Sequence, residues 1–327
     1  MKALAADLAA VCRRLRSERE VALAVHEKPD ADALGAASGM LDLFTQLGVK
    51  AALYVDAAEL LPHESWILPA GSVVRALPAA GLPLYALDCG SLPRLALPLP
   101  LGSWGGFVVD IDHHHDNTRF GDLVLLRGAA SSTSEMVCDI AAALSLEPSP
   151  AAAASLYAGI SFDTGHFRHG STSPHTFGCA AWLAGLGADV TAVYAQLYER
   201  RTRRALRLWA RAVDSAETFA DGRASVATIR RADYAATGAG EEETEGIVES
   251  LRAVDGVDAA ALVKEQSTGP RVRVSLRSTS LDVSAVAALR GGGGHRLAAG
   301  FSSDDSPEEV SAWLSTELAR RLSTASS

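Results

Sequence analysis

Four acid-rich segments of this chain carry side chains that could bind metal ions. The segment VVDIDHHHDN places Asp112 and three consecutive histidines after an apolar run that is typical of a buried parallel strand. The segments HEKPDAD, YALDCGS and GISFDTGHFR end or follow similar runs. The candidate ligands are His26, Asp30, Asp32, Asp88, His113 and Asp163. This mixed oxygen and nitrogen set predicts a pair of ions, Mn²⁺ first, with Mg²⁺, Co²⁺ or Zn²⁺ as alternatives.

A purely structural interpretation competes with each motif taken singly. Asp30 and Asp32 stand beside Pro29 and could cap a helix that starts near Ala33. A lone histidine such as His114 is more often a hydrogen-bonded core residue than a ligand. The metal interpretation rests on four such segments at successive strand ends, with Asp88 placed to bridge two ions. The absence of thiolates from the set argues against a structural zinc site.

The elements that must position these residues alternate through the first half of the chain. The predicted strands are 21–26, 51–56, 84–88, 107–112 and 123–126, and the predicted helices are 34–47, 133–146, 151–161 and 174–186. The alternation predicts an α/β fold with a mostly parallel sheet and helices on both faces. Ligands of such sheets bind beyond the carboxyl ends of the strands. The acidic residues follow the strands at that edge.

The pattern changes in the second half. Residues 189–219 read as one long or twice-broken helix rich in arginine, and 219–229 carry an Asp-Gly hairpin signal. An acidic helix over 241–254, strands over 258–265 and 271–278, a short helix over 283–289 and a final helix over 307–322 follow. We therefore expect a catalytic domain over 1–190, a helical linker over 191–217 and a smaller α/β domain over 218–327.

The four motifs resemble those of the DHH phosphoesterase superfamily, in the forms HxxxDxD, an isolated Asp after a strand, DHHxxN and GIxxDTGxFR. The resemblance implies that one ion is held by His26, Asp30 and Asp88, and the other by Asp32, Asp88, His113 and Asp163. It further implies that Asp112 orients imidazoles, that His114 contacts the substrate phosphate, and that Arg168 contacts substrate. Ala36 and the residues after Arg168 depart from the family pattern. These departures affect expected substrate contacts but none of the proposed metal ligands.

A glycine run near the C-terminus could bind an anion through its backbone N–H groups. Alone, GGGG is more typical of a mobile loop. The full segment GGGGHRLAAG resembles the GGGHxxAAG signature of the DHH-associated C-terminal domain, whose presence excludes the family II inorganic pyrophosphatases. In the alternating strand RVRVSLRS, valines and Leu276 face one side and arginines the other. The substrate contacts implied here are Arg277, Ser278, Gly293, Gly294 and His295.

Composition narrows the function classes. The 327 residues carry a net charge of −9, which argues against broad binding of long nucleic acid. The four cysteines form no CxxC pair, as expected of reduced thiols in a cytoplasmic protein. The N-terminus is an amphipathic helix without the apolar core of a signal peptide, and no stretch reads as a membrane span. The arginine-rich stretch 200–211 is interpreted as a solvated helix face.

The resemblance implies a two-metal hydrolase of short RNA or DNA oligonucleotides and linear dinucleotides that also dephosphorylates 3′-phosphoadenosine 5′-phosphate (pAp). Its substrates would bind in a cleft between the domains, which favours short ones. The alternatives are a RecJ-like single-strand exonuclease, a cyclic-dinucleotide phosphodiesterase, a catalytically idle nucleotide-binding module, and an RNA-binding or editing protein. A homodimer is compatible with any of them.

Overall fold

The structure is a computed structural model that describes residues 2–55, 65–74, 81–97 and 104–324. The chain divides into two compact units, Met1–Arg200 and Arg201–Ser327. The predicted linker 191–217 contains most of one helix, Val190–Tyr198, and all of a second, Arg203–Asp214, and these two helices belong to different units. Each cluster of buried hydrophobic residues lies within one unit, so each unit has its own core.

The first unit is built on a six-stranded sheet. Its elements are α1 (Lys2–Ser17), β1 (Glu20–Val25), α2 (Ala31–Gln46), β2 (Lys50–Tyr54), β3 (Val73–Val74), β4 (Leu84–Leu87), β5 (Val108–Asp112), β6 (Leu123–Leu126), α3 (Thr133–Leu144), α4 (Pro150–Asp163), α5 (Pro174–Gly185) and α6 (Val190–Tyr198). The strand order is β3-β2-β1-β4-β5-β6, and every neighbouring pair is parallel. The predicted parallel α/β sheet is confirmed; Asp56, the predicted end of its second strand, lies outside the described residues.

The strand order places a switch point beneath the acidic segments. From β1 the chain moves outward to β2 and β3, then returns to the other side of β1 for β4, β5 and β6. Loops that follow β1 and β4 therefore diverge, which opens a crevice at their carboxyl ends. His26 directly follows β1 and Asp88 directly follows β4. The topology alone brings these two segments together.

The structure corrects the predicted secondary structure around two of the candidate ligands, Asp32 and Asp163. Helix α2 begins at Ala31 rather than near Ala33, so Asp32 lies in its first turn and not in a loop. Asp163 is the last residue of helix α4 and does not follow a strand. The residues before Asp163 form an alanine-rich helix that packs against α2. Because this helix is buried, it is apolar on nearly all sides.

The second unit contains a mixed six-stranded sheet. Its elements are α7 (Arg203–Asp214), β7 (Glu217–Phe219), β8 (Ala224–Ile229), α8 (Arg231–Thr237), α9 (Ile247–Arg252), β9 (Ala259–Glu265), β10 (Val272–Ser278), α10 (Ser284–Ala288), β11 (Gly293–His295), β12 (Ala298–Ser303) and α11 (Pro307–Thr324). The order is β11-β12-β10-β9-β8-β7, in which only the β8–β9 pair is parallel. The predicted second α/β domain and the hairpin at Asp221-Gly222 are confirmed.

Three details of the second half differ from the predictions. The stretch 189–219 contains two separate helices and ends in strand β7. The acidic helix is a 3-10 turn over Glu241–Thr244 followed by α9, because Gly246 adopts a left-handed φ of 81° between them. The end of the glycine run is not a loop, since Gly293 and Gly294 pair with β12 as part of β11.

No single helix in the part of the chain that the structure describes is long and apolar enough to cross a membrane. Helices α5 and α6 pass the test of length and composition only as a pair, bent by 113°.

Candidate metal centre

His26 presents one ring nitrogen to the crevice. Its Nδ1 lies 2.7 Å from the backbone carbonyl of Glu27, which fixes the ring. Its Nε2 lies 3.6 Å from Asp88 Oδ2 and 4.0 Å from Asp30 Oδ2. A histidine that donates one N–H to a carbonyl and aims the other nitrogen at carboxylates has the arrangement of a metal ligand.

Asp30 caps a helix and also faces the site. Its Oδ1 accepts the backbone N–H groups of Asp32 and Ala33 at 3.0 and 3.1 Å, so the capping interpretation describes one oxygen correctly. The other oxygen faces His26. The capping hydrogen bonds therefore hold the carboxylate in place through Oδ1 and leave Oδ2 available to bind an ion.

Asp32 is fixed by a helix from a distant part of the chain. Its two oxygens accept the backbone N–H groups of Thr133 at 2.7 Å and Ser134 at 2.9 Å, in the first turn of α3. The N-terminal end of a helix favours a carboxylate through its unpaired N–H groups and its dipole. Asp32 is fully buried there.

Asp88 lies at the centre of the cluster. Its Oδ2 faces His26, whereas its Oδ1 lies 3.5 Å from His113 Nε2. The Thr133 hydroxyl donates to the same Oδ1 at 2.9 Å. The backbone of Asp88 has φ 56°, a left-handed conformation that a non-glycine residue adopts at some cost in energy. The two carboxylate oxygens thus point toward two different imidazoles.

The six predicted ligands come together as two groups. His26, Asp30 and Asp88 offer donor atoms that all lie within 4.8 Å of one another, and so do Asp32, His113 and Asp163. Within the second group, His113 Nε2 lies 3.1 Å from Asp163 Oδ2. Two donor atoms about 2.1 Å from one ion and at right angles to each other lie about 3 Å apart, so these spacings suit shared ions.

The charges of the cluster favour bound cations. Burial and the charges of Asp88 and Asp163 raise the pKa of Asp30 to about 6, and the same causes raise the pKa of Asp32 well above its ordinary value. Burial disfavours the charged form of His113, yet Asp163, Asp88 and Asp32 outweigh it and raise its pKa to about 10. Without ions, the carboxylates must take up protons or be neutralised by imidazolium groups. The residues fit a pair of divalent cations.

His114 is oriented by Asp112. Its Nδ1 lies 2.7 Å from Asp112 Oδ1 and 3.7 Å from Asp88 Oδ1. Asp112 Oδ1 also accepts the backbone N–H groups of His113 and His114, and Asn117 donates to its Oδ2 at 2.7 Å. Although burial opposes it, the contact with His114 holds the pKa of Asp112 below its usual value. Asp112 therefore fixes both the loop and one imidazole.

Two residues at the start of α3 are functional neighbours that the sequence analysis missed. Thr133 and Ser134 hold Asp32 and Asp88, as described above. Ser132 caps α3 by accepting the N–H of Glu135. The Ser-Ser-Thr-Ser-Glu stretch was visible as a helix start, but nothing local linked it to carboxylates about a hundred positions earlier.

Gly159 explains how closely α4 approaches the centre. A Cβ atom at this position would lie 2.1 Å from Ser134 Oγ and 2.8 Å from Asp32 Oδ1. Helix α4 can therefore carry Asp163 to the site only because residue 159 has no side chain.

Arg168 lies five residues after Asp163 and is exposed. Its Nε–H donates to the Gly165 carbonyl at 2.7 Å.

The predicted substrate contacts of the second unit lie on two strands, β10 and β11, with β12 between them. Arg277 of β10 is opposite Ala298 of β12, and Ala298 is opposite His295 of β11. Directly opposed residues project to the same face, so Arg277 and His295 flank the small Ala298, with their backbones about 10 Å apart. Arg277 Nε donates to Glu249 Oε1 at 2.8 Å.

The other contacts predicted here differ in accessibility. The Ser278 side chain is buried; its hydroxyl donates to the Asp258 carbonyl and accepts the N–H groups of Ser280 and Leu281, which shapes a turn. Gly293 is exposed with open space around it. A Cβ at Gly294 would lie 2.7 Å from the Ala298 carbonyl oxygen and from Ala299 Cα, so its glycine allows close strand pairing.

Comparison with known proteins agrees with this geometry. Residues 20–160 match the model of the DHH family, N-terminal domain, and residues 225–321 match the DHHA1 domain. The probable bifunctional oligoribonuclease and PAP phosphatase NrnA of Streptococcus mutans is 34% identical over 85% of this chain and 87% of its own length. The bifunctional oligoribonuclease and PAP phosphatase NrnA of Thermus thermophilus is 31% identical over 86% and 84%.

A solved structure shares the fold over nearly the whole chain. It is an exopolyphosphatase-related protein from Bacteroides fragilis, with a TM-score of 0.85, 20% identity and coverage of 96% of this chain and 95% of the other. The chain belongs to the DHH family, with a DHH domain followed by a DHHA1 domain.

Proposed function

We propose that this phosphoesterase hydrolyses short oligonucleotides, including linear dinucleotides, to 5′-mononucleotides and removes phosphate from pAp. The relatives from S. mutans and T. thermophilus carry both activities in their names. The observation that carries the proposal is Asp88, whose two oxygens face the two ligand groups. A carboxylate placed in this way suits a pair of ions that act on one phosphate group.

The proposed ligand sets follow the two groups. His26, Asp30 and Asp88 would hold one ion, and Asp32, Asp88, His113 and Asp163 the other. Mn²⁺ is the metal we propose, because it accepts mixed imidazole and carboxylate ligands. When bound, such an ion pair generates a nucleophilic hydroxide at neutral pH and neutralises charge on the phosphoryl oxygens.

The chain's own groups bind and orient the substrate. Asp112 fixes His114 through Nδ1, and the same nitrogen lies 3.7 Å from Asp88 Oδ1, so the ring is held beside the proposed ion pair. We assign His114 to the scissile phosphate, where an N–H donor stabilises developing negative charge. Arg168 is exposed beside the same motif and is assigned to substrate as well. Asp88 and Asp112 position groups rather than transfer protons.

The second unit would select the nucleotide. Arg277 and His295 flank Ala298 on one face, and we assign the pair to a phosphate or base of the substrate. The N–H groups near Gly293 and Gly294 would assist there. Ser278 would act indirectly, by shaping the turn that follows β10. We thus assign residues 1–190 to catalysis and 218–327 to substrate binding, with 191–217 between them.

The expected compartment is the cytoplasm. All four cysteines are free and buried, which suits a reducing environment.

The test is Mn²⁺-dependent hydrolysis of a substrate panel. It contains RNA and DNA as dinucleotide, pentanucleotide and long single strand, together with pAp, cyclic di-AMP and pyrophosphate. We expect cleavage of the short oligomers and of pAp, lost in Asp88→Asn. Efficient digestion of the long strand would indicate a RecJ-like exonuclease instead, and cleavage of cyclic di-AMP alone a cyclic-dinucleotide phosphodiesterase. Nucleotide binding without turnover would indicate an idle binding module.

A further inference from the structure

A second group of donor side chains lies between helices α3 and α5, apart from the six ligands described above. Asp139 of α3 and His175 and Cys179 of α5 offer donor atoms that all lie within 4.8 Å of one another. His175 Nε2 lies 2.8 Å from Asp139 Oδ1 and 3.7 Å from Cys179 Sγ. We propose that these three side chains form a zinc site.

The geometry suits zinc with little adjustment. His175 and Cys179 are four residues apart on one helix, so they project from the same face. With Zn–S of about 2.3 Å, Zn–N of about 2.0 Å and tetrahedral angles, the sulfur and nitrogen of one site lie about 3.5 Å apart. The observed 3.7 Å is close to that value. The His175–Asp139 pair, now at hydrogen-bond distance, would open by about half an ångström.

Arg127 orients the Asp139 carboxylate. Arg127 Nη1 donates to Asp139 Oδ2, and Arg127 Nη2 lies 2.9 Å from Glu135 Oε1. This leaves Oδ1, the oxygen that faces His175, for the ion. Oriented carboxylate ligands of this kind are typical of protein metal sites. With a Cys179 thiolate, the three negative groups Asp139, Glu135 and Cys179 would balance Arg127 and a divalent ion.

Zinc binds a cysteine as its thiolate and a histidine as its neutral form. On binding zinc, Cys179 would lose its proton to solvent, and the imidazole would bind as the neutral form through Nε2.

The site is open to solvent on one side. The His175 side chain is 53% exposed, whereas Cys179 is buried. Three protein ligands then leave a fourth position for water. The ion would cross-link α3 to α5, and the first turn of α3 is the segment that holds Asp32 and Asp88. We therefore expect zinc here to stabilise the first unit.

Co²⁺ is the probe that separates this site from the metal centre. The six ligands of that centre contain no sulfur, so a near-ultraviolet thiolate-to-cobalt charge-transfer band can arise only from a cysteine ligand. We expect the purified full-length protein to develop this band as Co²⁺ is added and to lose it when Zn²⁺ displaces the cobalt. Asp88→Asn should keep the band.

The matched variants decide the assignment. Cys179→Ser should abolish the band and His175→Ala should weaken it, while Cys12→Ser, at another buried cysteine, should leave it unchanged. Zn²⁺ should raise the melting temperature of Asp88→Asn but not of the Asp88→Asn/Cys179→Ser double variant. A band that survives Cys179→Ser, or no band in wild-type protein with reduced cysteines, would overturn the proposal.

Discussion

The metal centre of the first unit and the Arg277–His295 face of the second unit are built in opposite ways. In the metal centre, Asp32 and Asp88 are buried and fixed by hydrogen bonds from α3, and Asp88 has a left-handed backbone. The Arg277–His295 face lies on ordinary paired strands, and His295 is exposed. The difference suggests that the first region sets the rate of the chemistry and the second sets affinity. Substitutions in the first region should then lower kcat, and substitutions in the second should raise KM.

Asp88→Asn should have the largest effect. Asparagine is nearly isosteric with aspartate and tolerates a left-handed φ, so the fold should survive while the bridging charge is lost. Because bound ions contribute several kcal/mol of charge stabilisation, we expect kcat to fall at least about 1000-fold. Asp255→Asn, at an exposed aspartate, is the matched control. Near-normal turnover in Asp88→Asn, with bound metal, would contradict the proposal that the Asp88 carboxylate bridges two catalytic ions.

Thr133→Val should have the next largest effect. The change removes the hydroxyl that donates to Asp88 Oδ1 but keeps the shape of the side chain. Groups that orient a ligand typically contribute about 10–100-fold to metal affinity or activity, so we expect a loss in that range. Titration calorimetry with Mn²⁺ measures it. Thr133→Ser restores the hydroxyl and should restore affinity; equal defects in both variants would argue against the hydrogen bond.

Arg277→Ala should separate the two regions most clearly. If Arg277 contacts a substrate phosphate, loss of this partly exposed guanidinium should raise KM for short oligonucleotides about tenfold and change kcat little. Arg273→Ala, on the same face of β10 four residues away, is the control and should leave both constants unchanged. A fall in kcat with unchanged KM would place Arg277 in the chemistry and contradict the division.

Much of the metal centre was predictable because its information is local. An apolar run of strand length followed by an acidic residue is enough to place that residue at the carboxyl edge of a parallel sheet. His26, Asp88 and His113 lie where this rule places them. The rule does not apply to Asp163, which ends helix α4 and not a strand; the helix predicted over 151–161 already pointed to this, although its alanine-rich sequence has no clear period.

The parts that could not be predicted depend on contacts between distant positions. The hydrogen bonds from α3 to Asp32 join residues about a hundred positions apart. Pairing with β12 makes a strand of Gly293 and Gly294, whose own preference is for turns. Helix α8 was missed because it has only seven residues, which is too short for a clear apolar period.

The metal-free protein should become less stable at high pH, because His26 and His113 have raised pKa values in the folded state. Although burial opposes it, the hydrogen bond to Asp88 and the charges of Asp30 and Asp88 raise the pKa of His26 to about 9; that of His113 is raised to about 10. The resulting stabilisation is complete below the unfolded pKa near 6.5 and is lost as pH rises through 9 to 10.

Metal reverses this dependence. Bound ions need neutral imidazoles, so rising pH favours binding. We expect the melting temperatures of Mn²⁺-loaded and chelated protein to diverge by several degrees between pH 6.5 and 9. Asp88→Asn should lose most of the divergence, and Arg277→Ala should keep it. A constant difference in the wild-type protein would show that these imidazoles are not ligands.

Two glycine substitutions compare the packing of the two regions, and the second should have the smallest effect of all. At Gly159, a Cβ would meet Ser134 Oγ at 2.1 Å, so Gly159→Ala should destabilise the first unit by about 1–3 kcal/mol. At Gly293, a Cβ would have no heavy atom within 4 Å, so Gly293→Ala should change stability by less than about 0.5 kcal/mol. Urea denaturation of the chelated proteins measures both. If the two substitutions cost the same, the metal centre is no more tightly packed than the open face, and its rigidity cannot explain a dominant role in the chemistry.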